Sequence, residues 1–158
     1  MKIREIVKKD NPAIEKIIKR SLESFGLDIP GTAYFDPQLA SLSAYYQELP
    51  NSKYWVITDE HGVVMGGVGI APFGKHAGVC ELQKLYIMSE AQGQGLSKQL
   101  METALRFAME HYSHCYLETM EKLQVANRLY ERLGFRKLDR PLDGSEHGTM
   151  DTWYIKEL

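Results

Sequence analysis

The sequence predicts an α/β (α+β) fold, a mixed central sheet of about six to seven strands with about four helices distributed over both faces. Three observations predict it. β-rich runs follow one another in the middle of the chain, strands and amphipathic helices alternate after them, and no repeat, low-complexity tract or linker divides residues 1–158. With 158 residues, 44% hydrophobic and 25% charged, the chain can bury a substantial core as one domain spanning 1–158.

Residues 2–7 (KIREIV) alternate apolar and polar and predict a short strand. Asp10 is placed to cap a helix whose first turn holds Pro12, where a missing N–H does no harm. Ile14, Ile17, Ile18 and Leu22 give that helix an apolar face, Gly26 ends it, and Pro30-Gly31 marks a loop. Asp36-Pro37 opens a second helix carrying Leu39, Leu42, Tyr46 and Leu49. Residues 53–58 and 63–71 form a hairpin around Asp59-Glu60-His61-Gly62, and 79–88 is the next strand. A helix over 95–110 buries Leu96, Leu100, Met101, Ala104, Leu105 and Ala108. A strand at 114–118, a helix at about 121–133 ended by Gly134, and strands at 135–139 and 149–156 complete the pattern.

Composition excludes several function classes. The 19 basic and 21 acidic residues are mixed along the chain, with net charge -2, so no basic footprint for nucleic acid exists. No apolar run approaches the roughly 18 residues that span a bilayer. The opening MKIREIVKKD is too charged for a signal peptide, so a cytoplasmic protein is expected. Cys80 and Cys115 sit inside strand-like runs and read as buried free thiols. No His/Cys/Asp spacing suggests a metal site.

The segment Leu85 to Ser97 reads as a strand, a glycine-bearing turn and the first turn of an amphipathic helix. A helix start leaves its first N–H groups unpaired and partly positive. Gly93 and Gly95 keep that start free of side chains, which suits it to a pyrophosphate held by backbone. A Walker loop is excluded, since no Gly-Lys-Ser/Thr ending is present; a dinucleotide fingerprint fails because Lys98 stands at its third glycine. In Ala126 to Phe135 a helix ends in glycine and turns into an aromatic strand residue. Positions 123, 127 and 130 share one helical face, where the Tyr130 phenol could donate a proton.

At these two segments the chain resembles the GNAT superfamily of N-acetyltransferases. Gln92-Gly93-Gln94-Gly95-Leu96-Ser97 is similar to the family's Gln/Arg-x-x-Gly-x-Gly/Ala turn, departing only at Ser97. Glu81 to Ile87 resembles its central strand, and Ala126 to Phe135 its Ala-x-x-Leu-Tyr-Glu-x-x-Gly-Phe helix end. The resemblance implies the GNAT fold with splayed parallel strands at the cofactor site, and acetyl-CoA as cosubstrate with no metal. It implies that the amides from Gln92 to Ser97 bind the pyrophosphate, that Leu85, Tyr86 and Ile87 pair with the pantetheine arm, and that Tyr130 protonates the departing thiolate. The family often has Asn where this chain has Leu123; Asn127, one turn further, is the candidate to replace that contact.

A protonated amine must lose a proton before attacking a thioester. Glu81 is the first candidate for the general base and Glu118 the second, against a structural salt bridge for either. His76, His114 and His147 could titrate near neutrality. Recognition of a small-molecule or peptide amine would fall to residues 26–36, the helix bearing Tyr45 and Tyr46, and the loop 140–151. Tyr34, Phe35, Tyr45 and Tyr46 could wall an acceptor or simply pack, and Asp28 and Asp36 could attract a cationic amine. Two alternatives stand beside direct N-acetyl transfer: a non-catalytic acyl-CoA-binding sensor, and a transferase for a longer acyl group. The resemblance also makes a homodimer possible.

Overall fold

The computed structural model describes all residues, Met1–Leu158. Seven strands, β1 (Lys2–Glu5), β2 (Lys53–Thr58), β3 (Val64–Pro72), β4 (Val79–Ile87), β5 (His114–Thr119), β6 (Arg136–Leu138) and β7 (Thr152–Glu157), form one sheet. Their order is β1-β2-β3-β4-β5-β7-β6, and every neighbouring pair is antiparallel except β4 with β5. The helices are α1 (Asn11–Ser24), α2 (Leu42–Glu48), α3 (Leu96–His111) and α4 (Gln124–Arg132). No helix is long and apolar enough to cross a membrane.

Strand alternation gives the sheet two apolar faces, and a helix pair covers each. Trp55, Ile57, Cys80, Leu82, Cys115 and Leu117 face the core built with α3, whose buried Leu96, Leu100, Met101, Ala104, Leu105 and Ala108 are those the periodicity predicts. Tyr54 and Val56 face the other core, with Ile14, Ile17, Ile18 and Leu22 of α1 and with Leu42 and Tyr46 of α2. Cys80 and Cys115 stand opposite each other in the β4–β5 ladder as free, fully buried thiols.

Three expectations are corrected. Asp10 precedes α1 but caps nothing there, because its carboxylate accepts from Arg4 at 2.7 and 3.0 Å and from the Val7 N–H at 2.8 Å. It ties β1 to the helix entrance instead. The second helix begins at Leu42, not at Asp36-Pro37; Asn11 fixes its start by accepting from the Ser43 N–H at 3.1 Å. The fourth helix begins at Gln124, which leaves Leu123 as its non-helical N-cap, its carbonyl accepting from the Asn127 N–H at 3.0 Å. The strand 53–58 has the limits expected, and the remaining strand and helix limits differ by at most three residues.

Candidate active site

The site grows from a defect in the sheet. β4 and β5 pair only from Val79 to Glu81 against His114 to Tyr116. Beyond that point β4 continues on β3 and β5 on β7, so the two parallel strands part and leave a cleft. A bulge bends β4 there: Gly67 faces Tyr86 while Gly69 faces Gln83, so β4 carries one extra residue. Lys84 takes up the surplus at φ 51°, an uncommon conformation for a residue with a side chain. The Tyr54 hydroxyl holds the bulge by donating to the Lys84 carbonyl at 2.8 Å.

The bulge also changes which side chains meet. In a regular strand Gln83 and Lys84 would face opposite sides. Here both reach the α1–α2 side: Gln83 accepts from the Tyr46 hydroxyl at 2.6 Å, and Lys84 Nζ donates to Asp36 at 2.7 Å. Leu85 and Ile87 then return to the α3 core, and Tyr86 packs on the α1 side.

At the end of β4 the chain turns into α3. Gly93 and Gly95 hold φ 81° and 75°, and a Cβ on either would meet nothing within 4 Å. Glycine is required there for the left-handed backbone rather than for space. The backbone N–H groups of Gly93, Gln94, Gly95, Leu96, Ser97 and Lys98 donate to no carbonyl; the first inward bond is Gln99 N–H to the Gly95 carbonyl. The Gln92 side chain donates back to the Ile87 carbonyl at 3.2 Å and braces the turn against the strand. Leu96 anchors it in the core with 3% exposure, so its contribution to a ligand is its amide alone. A row of unpaired donors at the positive end of a 16-residue helix fits a diphosphate.

Tyr130 is buried on α4 among Phe135 and Tyr154, at centroid distances of 6.0 and 5.8 Å. Burial and then the charge of Tyr154 push its phenol well above the ordinary value, so it holds its proton at neutral pH. The Tyr86 phenol, raised by burial and by Tyr130, is its neighbour. Asn127 uses its amide hydrogens on the carbonyls of Met120 and Glu121, at 3.0 and 3.2 Å, and its buried Oδ1 has no partner. The side chain therefore pins the β5–α4 connection and keeps only an acceptor for anything else.

Glu81 and Glu118 line one small cavity on the α1–α2 side, together with Gln83, Lys84, Tyr86 and His147. Burial, opposed by a hydrogen bond from Gln83 at 2.7 Å and reinforced by the charge of Glu118, raises the Glu81 carboxyl to about 7. Glu118 accepts from the Tyr116 hydroxyl at 2.7 Å through one oxygen, and its other oxygen is buried with no partner. Asp36 receives His147 Nε2 at 3.0 Å as well as Lys84. Burial would raise the Asp36 carboxyl, but those two partners outweigh it and hold it low. In return the hydrogen bond to Asp36 raises the His147 imidazole, against the effect of burial. The loop bearing His147 is clasped to the loop after α1, where the Thr149 hydroxyl donates to the Pro30 carbonyl at 2.6 Å.

Of the expected site residues, Glu81, Tyr86 and Glu118 line one cavity, Leu85 to Ile87 run along the parted edge of β4 towards the unpaired turn, and Tyr130 lies in the core on the α3 side. Tyr46 is not an acceptor wall, being 2% exposed and bonded to Gln83, while Phe35 points outward at 59% exposure. His76 bonds the Asp143 carbonyl, and His114 lies at the closed end of β5 beside Ser113. Sequence reasoning missed Gln83 and Lys84. Gln83 could have been found from its i+2 spacing to Glu81; Lys84 could not, because an unpatterned bulge places it.

Comparison with known proteins agrees with this geometry. The Acetyltransferase (GNAT) family profile matches residues 19–135. A protein described as the uncharacterized N-acetyltransferase YjgM of Escherichia coli K12 is 38% identical over 159 aligned positions, covering 99% of this chain and 94% of its own. A GNAT-family acetyltransferase from Staphylococcus aureus Mu50 superposes with TM-score 0.83 at 18% identity, over 99% of this chain and 98% of that one. The PaiA N-acetyltransferase of Thermoplasma acidophilum, solved in complex with coenzyme A, superposes with TM-score 0.74 at 18% identity, over 99% and 98%. With the parted parallel strands and the unpaired turn already described, these likenesses make the chain a member of the GNAT family of acetyltransferases.

Proposed function

We propose that the protein transfers an acetyl group from acetyl-CoA directly to a primary amine. The observation that carries this reading is the row of unpaired N–H groups from Gly93 to Lys98 at the mouth of the parted strands. Those donors suit the coenzyme's diphosphate, and the edge of β4 at Leu85 to Ile87, which lacks a strand partner on the β5 side, suits an extended amide-bearing arm. The cosubstrate supplies an acetyl group activated as a thioester.

The chain's own residues do the rest. Glu81, ionised above about pH 7, takes a proton from the acceptor's ammonium, directly or through water. The freed nitrogen lone pair forms the new N–C bond, the C–S bond breaks with its electron pair on sulfur, and the nitrogen releases its second proton to water as the amide forms. Tyr130, kept protonated by burial, supplies a proton to the departing thiolate and recovers it from solvent. The products are an N-acetyl amide and CoA, with no net redox change. Cys80 and Cys115 take no part, since both are fully buried and the Cys115 thiol is pushed up by its hydrogen bond with Cys80 and by burial.

Incubating the protein with acetyl-CoA and a panel of amines, and following released thiol, tests the reading. Turnover with at least one amine supports it. Tight acetyl-CoA binding with no turnover of any amine would make the protein an acyl-CoA sensor instead, and faster reaction with propionyl- or succinyl-CoA would reassign the acyl group.

A further inference from the structure

Charges of both signs line the acceptor cavity. Lys84 and His147 share a single carboxylate, Asp36. With His147 protonated, two cations face one anion, and this partly buried triad keeps an excess positive charge. Lys84 has three N–H donors and gives one of them to Asp36, although its side chain is only 4% exposed. Glu81 and Glu118 line the same cavity, and the second oxygen of Glu118 is buried without any partner. Buried polar atoms are nearly always hydrogen-bonded, so an orphan carboxylate oxygen beside a cavity marks where a donor from a ligand belongs. The cavity itself is about 70 Å³, far below the size that takes a drug-like ligand.

We propose that the acceptor is a small amino acid, an amine with its own carboxylate a few bonds away, bound with its amine at Glu81 and Glu118 and its carboxylate at Lys84 and His147. This rests on the N-acetyltransferase reading and narrows it. A polyamine would place cationic nitrogens against Lys84 and His147, where like charges repel. A neutral or purely cationic amine would leave the spare Lys84 donors unpaired in a desolvated site, a penalty specific to ligands lacking the carboxylate. A small amino carboxylate satisfies both ends. Its ammonium gives the orphan Glu118 oxygen a donor and delivers its proton to Glu81. The bulge at Lys84 is what makes this possible, by setting Lys84 on the same face as Glu81 and Gln83.

The test compares matched acceptors with the full-length protein and acetyl-CoA: L-alanine and β-alanine against ethylamine, L-alaninamide and spermidine. The expected result is a kcat/KM roughly tenfold or more higher for at least one of the two amino acids than for any acceptor without a carboxylate. Lys84→Met is expected to bring that ratio toward one, chiefly through KM, and His147→Gln to do so to a smaller degree. Calorimetric titration of the CoA-saturated protein should show tighter binding of the preferred amino acid than of L-alaninamide, a readout that needs no turnover. Equal or better turnover of ethylamine, L-alaninamide or spermidine overturns the inference while leaving the N-acetyltransferase reading intact. Absence of turnover with every amine overturns both. If Lys84→Met does not fold, the wild-type acceptor ratio and His147→Gln still decide the matter.

Discussion

At the start of α3 the groups offered to a ligand are main-chain N–H donors on six consecutive residues, whereas in the cavity beside Glu81 they are side-chain charges gathered from four separate segments. The first region is local: a strand end, two left-handed glycines and a helix start suffice, and Gln92 braces it from within. The second depends on the whole fold. β4 supplies Glu81, Gln83 and Lys84, β5 supplies Glu118, and the connections after α1 and before β7 supply Asp36 and His147. The contrast suggests a division of labour. A ligand shared across a family can be held by backbone, which tolerates changes of side chain, while the ligand that distinguishes one member is read by side chains on elements free to vary.

Breaking the acceptor side should have the largest effect. Glu81→Gln is expected to lower kcat by about 10²- to 10⁴-fold near neutral pH. The loss should shrink toward pH 10, where the amine is already neutral, and acetyl-CoA affinity should hardly change. In the wild type, kcat/KM should fall on acidification through about pH 7, because a Glu81 carboxyl raised by burial is protonated below that value. A full rate for Glu81→Gln at pH 7 would remove it as the base. Tyr130→Phe keeps the ring contacts to Phe135 and Tyr154 and removes only the proton donor. A drop in kcat of about a hundredfold with unaltered acetyl-CoA binding is expected from single-turnover kinetics.

The coenzyme side should respond more gently and in a different observable. Gly95→Ala forces a Cβ onto a residue at φ 75°, at a cost of about 1–2 kcal/mol in backbone strain, although no atom lies in its way. Relaxation of the turn should weaken acetyl-CoA binding by about tenfold in calorimetry while the pH dependence of kcat stays put. Unchanged affinity would mean that the turn's conformation does not matter to the ligand. Gln83→Leu should have a smaller effect still. It removes the hydrogen bond that lowers the Glu81 carboxyl, so the acidic limb of the rate profile should move to higher pH with little change in the plateau. Tyr46→Phe, which loosens Gln83 from behind, should act in the same direction more weakly.

The same contrast explains what could be read from the sequence. The apolar faces of α1 and α3, the hairpin around Asp59 to Gly62 and the glycine-bearing turn are short-range patterns, and the structure has them where periodicity and turn chemistry put them. Glu81 was legible because it sits in a strand whose register the family resemblance fixed. The Asp36–Lys84–His147 triad was not, although Asp36 and His147 were each noted as candidates. Their partnership spans separations of 48 and 111 residues, and no local pattern records it. Asp10 failed for a different reason, a competing partner only six residues away. The carboxylate expected to cap α1 is taken by Arg4 of β1 and by the Val7 N–H.

The claim on which both regions depend is that the amides of Gly93 to Lys98 hold the coenzyme's diphosphate. Amide-resolved NMR of the ¹⁵N-labelled protein, titrated with CoA, tests it most directly. The account predicts saturable shifts concentrated on those amides and on Leu85 to Ile87, the turn donors moving in the sense of new hydrogen bonds to an anion. Saturable binding that leaves the Gly93 to Lys98 amides where they were would contradict it.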